Sequence, residues 1–299
     1  MQYNYLRYKY FLIIVKTGSD DMKIENKSFD EERAFYGERQ LIIEHCQFDG
    51  PQDGESAFKE CEDIQVYSTY LNLRYPFWHD HGLKIISSDM TENCRAALWY
   101  SDHIEIKDTK MHGIKALREC DDILIKNCSI DSPEFGWMSH NVYIQDTKAI
   151  SEYFLMRASN INLKNTQFKG KYSFQYVKNG LIDHCELDTK DAFWHSEDIW
   201  VKDCVLKGEY LGRYSKNLVL ENCTIIGTQP FCYCEGLRLI NCKMIDTDLA
   251  FERSQVNATI TTPVISIKNP YQGRIVVPGV KELILDDPNA KGEIVYATN

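Results

Sequence analysis

Apolar and polar residues alternate with period two along short stretches of this chain, and those stretches return at a fixed interval. "LVLENCTI", residues 218–225, is preceded nineteen residues earlier by "IWVKDCVL" and followed nineteen later by "LRLINCKM". With Leu218 as position one, the equivalents are Leu41, Ile64, Leu83, Ile104, Ile123, Val142, Ile161, Gly180, Ile199, Leu237 and Val256. The steps are 23, 19 and 21, then 19 eight times over. A fixed period is the signature of a repeat architecture, in which each unit buries its apolar face against the next.

Each column of the repeat has its own chemistry. Position three is Ile, Val or Leu throughout, from Ile43 to Leu239, and position eight is apolar in most units, from Phe48 to Met244. Positions two and four are mostly polar, so each unit predicts a short strand with one buried face. Position five reads His45, Ser68, Ser87, Asp108, Asn127, Asp146, Asn165, His184, Asp203, Asn222 and Asn241. Asn, Asp and His tolerate positive φ best among non-glycine residues, so this column predicts a sharp bend. Position six is small (Cys, Thr or Ser) and takes six of the eleven cysteines.

A second strand precedes each unit. Large apolar residues lie six before position one, as at Phe58, Phe77, Phe174, Phe193 and Phe231, and mostly small ones lie three before it. Bent strands with matching inward columns are satisfied only by stacking turn on turn, at ~4.8 Å per turn. The pattern lacks a helical half, which excludes leucine-rich and helical repeats. It predicts an all-β, single-stranded parallel β-helix of about twelve coils of 19 residues, capped at both ends. Residues 41–262 form the helix, 22–40 an N-terminal cap with room for a short helix, and 263–299 loose C-terminal cap strands. Residues 1–21 read as an extension ahead of a start at Met22.

Charge and composition narrow the partners. The net charge of −10 and a pI near 5.3 disfavour a phosphate-backbone ligand, so no nucleic acid is expected. No apolar run reaches the length of a membrane span, and residues 1–21 lack a signal cleavage site. Cysteines that follow the repeat phase, with no staple spacing, point to a reduced, cytoplasmic protein.

The 19-residue units with an Asn bend resemble the right-handed β-helices of the pectate-lyase-like superfamily. The stretch "ENKSFDEERAFYGERQLIIEHCQFDGPQDGESAFKEC" is similar to a bacterial family known as a domain of unknown function (number 3737). That resemblance runs from residue 22 to about 290. It implies a right-handed coil and a carbohydrate-related role, and it brings no catalytic residues.

The informative surface column stands five before position one, where Trp78, Trp99, Trp137 and Trp194 alternate with Lys59, Arg118 and Arg213. Beside it stand Glu60, His79, Tyr100, Glu119, Arg157, Tyr176, His195, Tyr214 and Tyr233. One reading is an aromatic strip on which an oligosaccharide lies, held by Trp78, Trp99, Arg118, Trp137, Arg157, Trp194, His195 and Arg213. The other is a surface buried in a homo-oligomer of a non-catalytic module, since exposed apolar strips rarely lack a partner.

Candidate catalysis centres on "FWHDHG", residues 77–82. Glycoside hydrolysis needs two carboxyls about 5–9.5 Å apart. Glu60 and Glu119 are three rungs apart, ~14 Å, so Asp80 is the shared member of any acid–base pair. β-Elimination from a uronate needs a cation and a base, for which the arginines and His79, Tyr100 or His195 stand ready. The catalytic set expected for a lyase or glycoside hydrolase is therefore His79, Asp80, Tyr100 and Glu119. No metal or cofactor is expected: Cys232-x-Cys234 lacks a zinc partner pair, and His79, Asp80 and His81 alternate along a strand.

Overall fold

The computed structural model describes residues 15–16, 22–51 and 54–297. Successive turns stack into a parallel β-solenoid of about 14 turns. One strand of each turn joins a long sheet whose register follows position one, with Leu41 beside Ile64, Ile64 beside Leu83, Leu83 beside Ile104 and Ile104 beside Ile123. A second sheet aligns Phe48, Leu71, Met90, Met111 and Ile130 in the same way. A third, short sheet pairs Phe77–Trp78, Leu98–Trp99 and Leu117–Arg118. Identical residues fall one above another because every inward column meets its own copy a rung away.

The corners explain the sequence columns. All eleven position-five residues have φ between 46° and 53°. Their side chains bond along the stack: Asn165 Nδ2 donates to Asp146 Oδ1 at 3.0 Å, Asn222 Nδ2 to Asp203 Oδ1 at 3.1 Å, and Asn241 Nδ2 to Asn222 Oδ1 at 2.9 Å. These bonds and the short polar side chains offset the left-handed backbone. Position six then turns inward. Its thiols reach the preceding turn, as Cys204 Sγ does to Ile182 O at 3.5 Å and Cys242 Sγ to Leu220 O at 3.4 Å. All eleven cysteines are free and buried.

Between the corners the core is a pile of phenylalanines. Phe35, Phe58 and Phe77 stack at 5.6 and 5.1 Å, and Phe174 and Phe193 at 5.0 Å. Each fully buried ring contributes about 2–3 kcal/mol of transfer free energy. In two turns the inward residue shifts by one, so Phe135 and Phe154 stack at 5.5 Å where the strict phase points to Gly136 and Leu155.

The ends differ from expectation. Met22–Glu25 pairs in parallel with Leu41–Glu44, so the segment expected as a cap is itself a turn, and the described residues contain no helix. The 19-residue step already holds there, Met22 lying beside Leu41 and Phe35 keeping the inward phase six before Leu41, but the charged residues around Phe35 in "DEERAFYGERQ" hide it. At the other end Ala258 lies beside Ile275, and Arg274–Val277 pairs with Glu293–Tyr296. The strands expected as loose caps thus continue the ladder, with one step of 17 residues across prolines 263 and 270 before the step returns to 19. The expectation for residues 1–21 lies outside the described residues, apart from Val15–Lys16, which pairs antiparallel with Met22–Lys23.

Candidate functional site

A second column of left-handed residues forms the corner between the short sheet and the long one. Glu60, His79, Tyr100, Glu119, Met138, Arg157, Tyr176, His195, Tyr214 and Tyr233 have φ between 50° and 62°. Bulky side chains rarely adopt this conformation. Here they gain stacking partners in return. Tyr176, His195, Tyr214 and Tyr233 form a continuous face-to-face pile at 5.0, 4.9 and 4.9 Å, and His79 stacks on Tyr100 at 5.0 Å. The sequence reading missed this corner because it sought bends among Asn and Asp. The usable signal was the small residue that follows, which marks this corner as it marks position five.

The tryptophan column faces outward and is half-buried. Lys59 Nζ lies 5.1 Å from the Trp78 ring, Trp78 and Trp99 are 5.8 Å apart, and Arg118 Cζ sits 5.0 Å from Trp99 and 5.3 Å from Trp137. Arg118 also meets Glu119 Oε1 at 3.2 Å. Trp194 belongs to a separate group higher up, with Arg213 Cζ 5.5 Å from its ring. Rings on successive rungs point their faces along the solenoid axis, where neighbours occupy them. Solvent therefore meets ring edges and polar tips, not open faces. Tyr100, Tyr176 and Tyr214 remain 40–42% exposed, enough for their hydroxyls to engage a ligand.

Arg157 and Arg213 are different from Arg118. Arg157 lies 5.0 Å from the Tyr176 ring, while Arg213 contacts Tyr214 and Tyr233 at 5.3 and 5.1 Å. Among the described residues neither has a carboxylate within ion-pairing distance. Two guanidinium groups without an ion pair thus bracket the Tyr176–His195–Tyr214 pile, about three rungs or ~14 Å apart along the axis.

At the lower end, Glu60, Glu62, His79 and His81 line an open cavity of about 280 Å³. His81 Nδ1 donates to Asp102 Oδ2 and His103 Nδ1 to Asp102 Oδ1, each at 2.7 Å. Partial burial pushes the Asp102 carboxyl up, but the bonds from His103 and His81 outweigh it and hold it below the usual range. The same bond to Asp102 raises His103. On its other side His103 Nε2 lies 3.6 Å from Asp122 Oδ2, so this ring stands between two carboxylates.

Asp80 does not share this surface. It occupies the inward small column, is fully buried, and accepts a bond from the Cys61 N–H at 2.9 Å through Oδ1, while Oδ2 has no partner. Burial pushes its carboxyl up to about 8. This corrects its expected role: a group enclosed by the coil cannot exchange a proton with a ligand outside it. His79, Tyr100 and Glu119 do share one outward column with Glu60, and His79 and His81 stand outside on either side of the inward Asp80. A metal site from His79, Asp80 and His81 is excluded by that alternation.

Elsewhere, Glu25, Glu44 and His45, and Asp183, His184 and Asp203, bring three ligating atoms within 4.8 Å. Lys23 Nζ already meets Glu44 at 2.7 Å in the first group, and His184 bonds Asp183 in the second. Among the described residues no helix is long and apolar enough to cross a membrane.

The family described as "Protein of unknown function (DUF3737)" matches residues 22–295. The chain belongs to this family. No curated protein matches it. Among solved structures, the Streptococcus pneumoniae surface protein and adhesin PfbA is similar over 93% of this chain and 90% of its own, at 10% identity and a TM-score of 0.39. A tailspike protein mutant of E. coli bacteriophage HK620, in complex with a hexasaccharide, covers 89% of this chain and 52% of its own at 8% identity and a TM-score of 0.29. The Azotobacter vinelandii mannuronan C-5 epimerase AlgE6 A-module covers 88% and 76% at 9% identity and a TM-score of 0.20.

Proposed function

We propose that this member of the family binds an extended acidic oligosaccharide lengthwise along the left-handed corner, from His79 to Tyr233. The observation that carries the reading is the pair Arg157 and Arg213. They are cations without an ion pair in a chain of net charge −10, flanking the exposed tips of Tyr176 and Tyr214, which stand two rungs apart with His195 between them. Bidentate guanidinium groups suit carboxylates, and tyrosine hydroxyls suit sugar hydroxyls. Contacts run through ring edges and tips, because the ring faces are already stacked. Binding is the proposed activity. A reaction on the bound chain would centre on His79, Tyr100 and Glu119 beside the cavity of Glu60, Glu62 and His81. The alternative of a strip buried between copies is less favoured, since its rings are packed on one another without a partner.

The test is calorimetric titration with uronate oligomers and with neutral oligomers of equal length. Saturable binding of the uronates alone, weakened by salt and lost in an Arg157→Gln/Arg213→Gln variant, is the expected result. No binding of any uronate, or equal binding by the double variant, overturns the proposal.

A further inference from the structure

The long sheet presents a flat outer face on the side of the molecule reached after the next bend. Its central column is charged at Lys84, Glu105 and Arg238, and between Glu105 and Arg238 it runs in register through Leu124, Tyr143, Asn162, Leu181, Trp200 and Val219. Trp200 is 47% exposed, whereas the tryptophans of the strip are half-buried against neighbours. A large ring left open amid a mostly apolar column calls for a cover.

The rims of this face carry a sign rule. Within that stretch, strands Asp121–Lys126, Lys178–Asp183 and Glu197–Lys202 each begin and end with opposite charges. Among the described residues, no strand of this sheet begins and ends with the same charge. A left-handed residue at the second position of these strands bends the chain there, so the first residue stands at one rim and the last at the other. The sense of the pairs is mixed: Lys178–Asp183 runs from positive to negative, the other two from negative to positive. A partner of uniform charge, such as a nucleic acid or an acidic membrane, cannot satisfy both senses.

A second copy can. We infer that the face is a homodimer contact with its two-fold axis parallel to the solenoid axis. That operation sets each rung against the same rung of the partner with the strand reversed. The first residue of every strand then meets the last residue of its copy, so each of these rungs forms two complementary rim pairs. From Leu124 to Val219 the central column meets itself, and Trp200 lies beside Trp200 of the partner in an apolar stripe. Stacking neighbours within one chain accounts for sign alternation along a column, as in Lys178 with Glu197 at 3.3 Å. It does not account for opposite signs across these three strands.

Sedimentation velocity over a concentration series tests the assignment, with circular dichroism to verify folding. The wild-type chain should dimerise. Trp200→Glu, an exposed substitution, should give monomer. Lys126→Glu should weaken the dimer about tenfold, by setting like charges opposite one another on two symmetric rim sites. Adding Asp121→Lys to Lys126→Glu should restore it, because the rung is again self-complementary. A wild-type monomer at the highest soluble concentration overturns the inference. So does a dimer indifferent to Trp200→Glu, or a double variant no tighter than Lys126→Glu alone. Uronate binding is read separately and does not bear on this outcome.

Discussion

The Cys61 backbone N–H donates to Asp80 Oδ1 inside the turn, one rung above, where neighbouring turns place Ser101, Cys120 and Ser139. A carboxyl in this slot titrates at about 8 in the fold because it is cut off from water. In the unfolded chain an ordinary aspartate titrates near ~3.9. Between those limits the native state holds a proton that the unfolded state has lost. Stability is therefore full below about pH 4 and falls as pH rises towards 8, with a linkage limit of about 6 kcal/mol. Urea melts at pH 5 and pH 8 should show this fall. In Asp80→Ser, which restores the residue type of the column, the fall should shrink sharply. An unchanged fall would mean that Asp80 is not sealed from solvent.

Burial also governs the thiols. It pushes Cys120 and Cys234 up to about 12 and Cys128 to about 11, so each is a neutral, weak nucleophile at neutral pH. Ellman's reagent should find almost no reactive thiol in the native protein and all eleven after unfolding. Fast labelling of several thiols before unfolding would contradict the packing of the inward columns.

The corner at Asn222 separates two contributions. Asn222→Gly keeps the left-handed backbone and loses the bonds to Asp203 and Asn241. Asn222→Val loses those bonds and adds steric strain at φ 53°. The valine variant should be less stable than the glycine variant by about 1–2 kcal/mol in urea denaturation. Equal stability would show that the bend is not enforced at this residue.

Arg118 is expected to serve the stack. Its guanidinium lies between Trp99 and Trp137, and each contact of this kind is worth about 0.5–1 kcal/mol at a part-exposed site. Arg118→Ala should therefore cost about 1–2 kcal/mol of stability, read from a urea melt, and alter the intrinsic tryptophan fluorescence. Arg213→Gln, by contrast, should weaken uronate binding about tenfold. No change in stability for Arg118→Ala would mean the guanidinium is not held between the indoles.

Much of this was legible in the text of the chain. The eleven bends were marked by Asn, Asp, Ser and His, and the inward thiols by their smallness, because those positions admit few residue types. What escaped were places where packing overrides type. Tyr214 and His195 adopt left-handed backbone that their bulk disfavours, and only the stacking of one rung on the next makes it tolerable. Asp80 read as a surface acid because its neighbours His79 and His81 are polar, yet the small column to which it belongs faces inward. The terminal turns were hidden for a simpler reason: prolines 263 and 270 shorten the step, and a period search loses phase when spacing changes.

From Ile104 to Val256 the step never varies, so the molecule is a ruler graduated in identical divisions. Excising one complete division, for example residues 180–198, rejoins compatible edges and should yield a shorter folded protein. The same excision brings Arg157 and Arg213 one graduation closer, and with them the length of chain that fits between two cations. On the proposed reading ligand size is set by counting storeys, and duplication or loss of a storey edits it without redesigning any single contact.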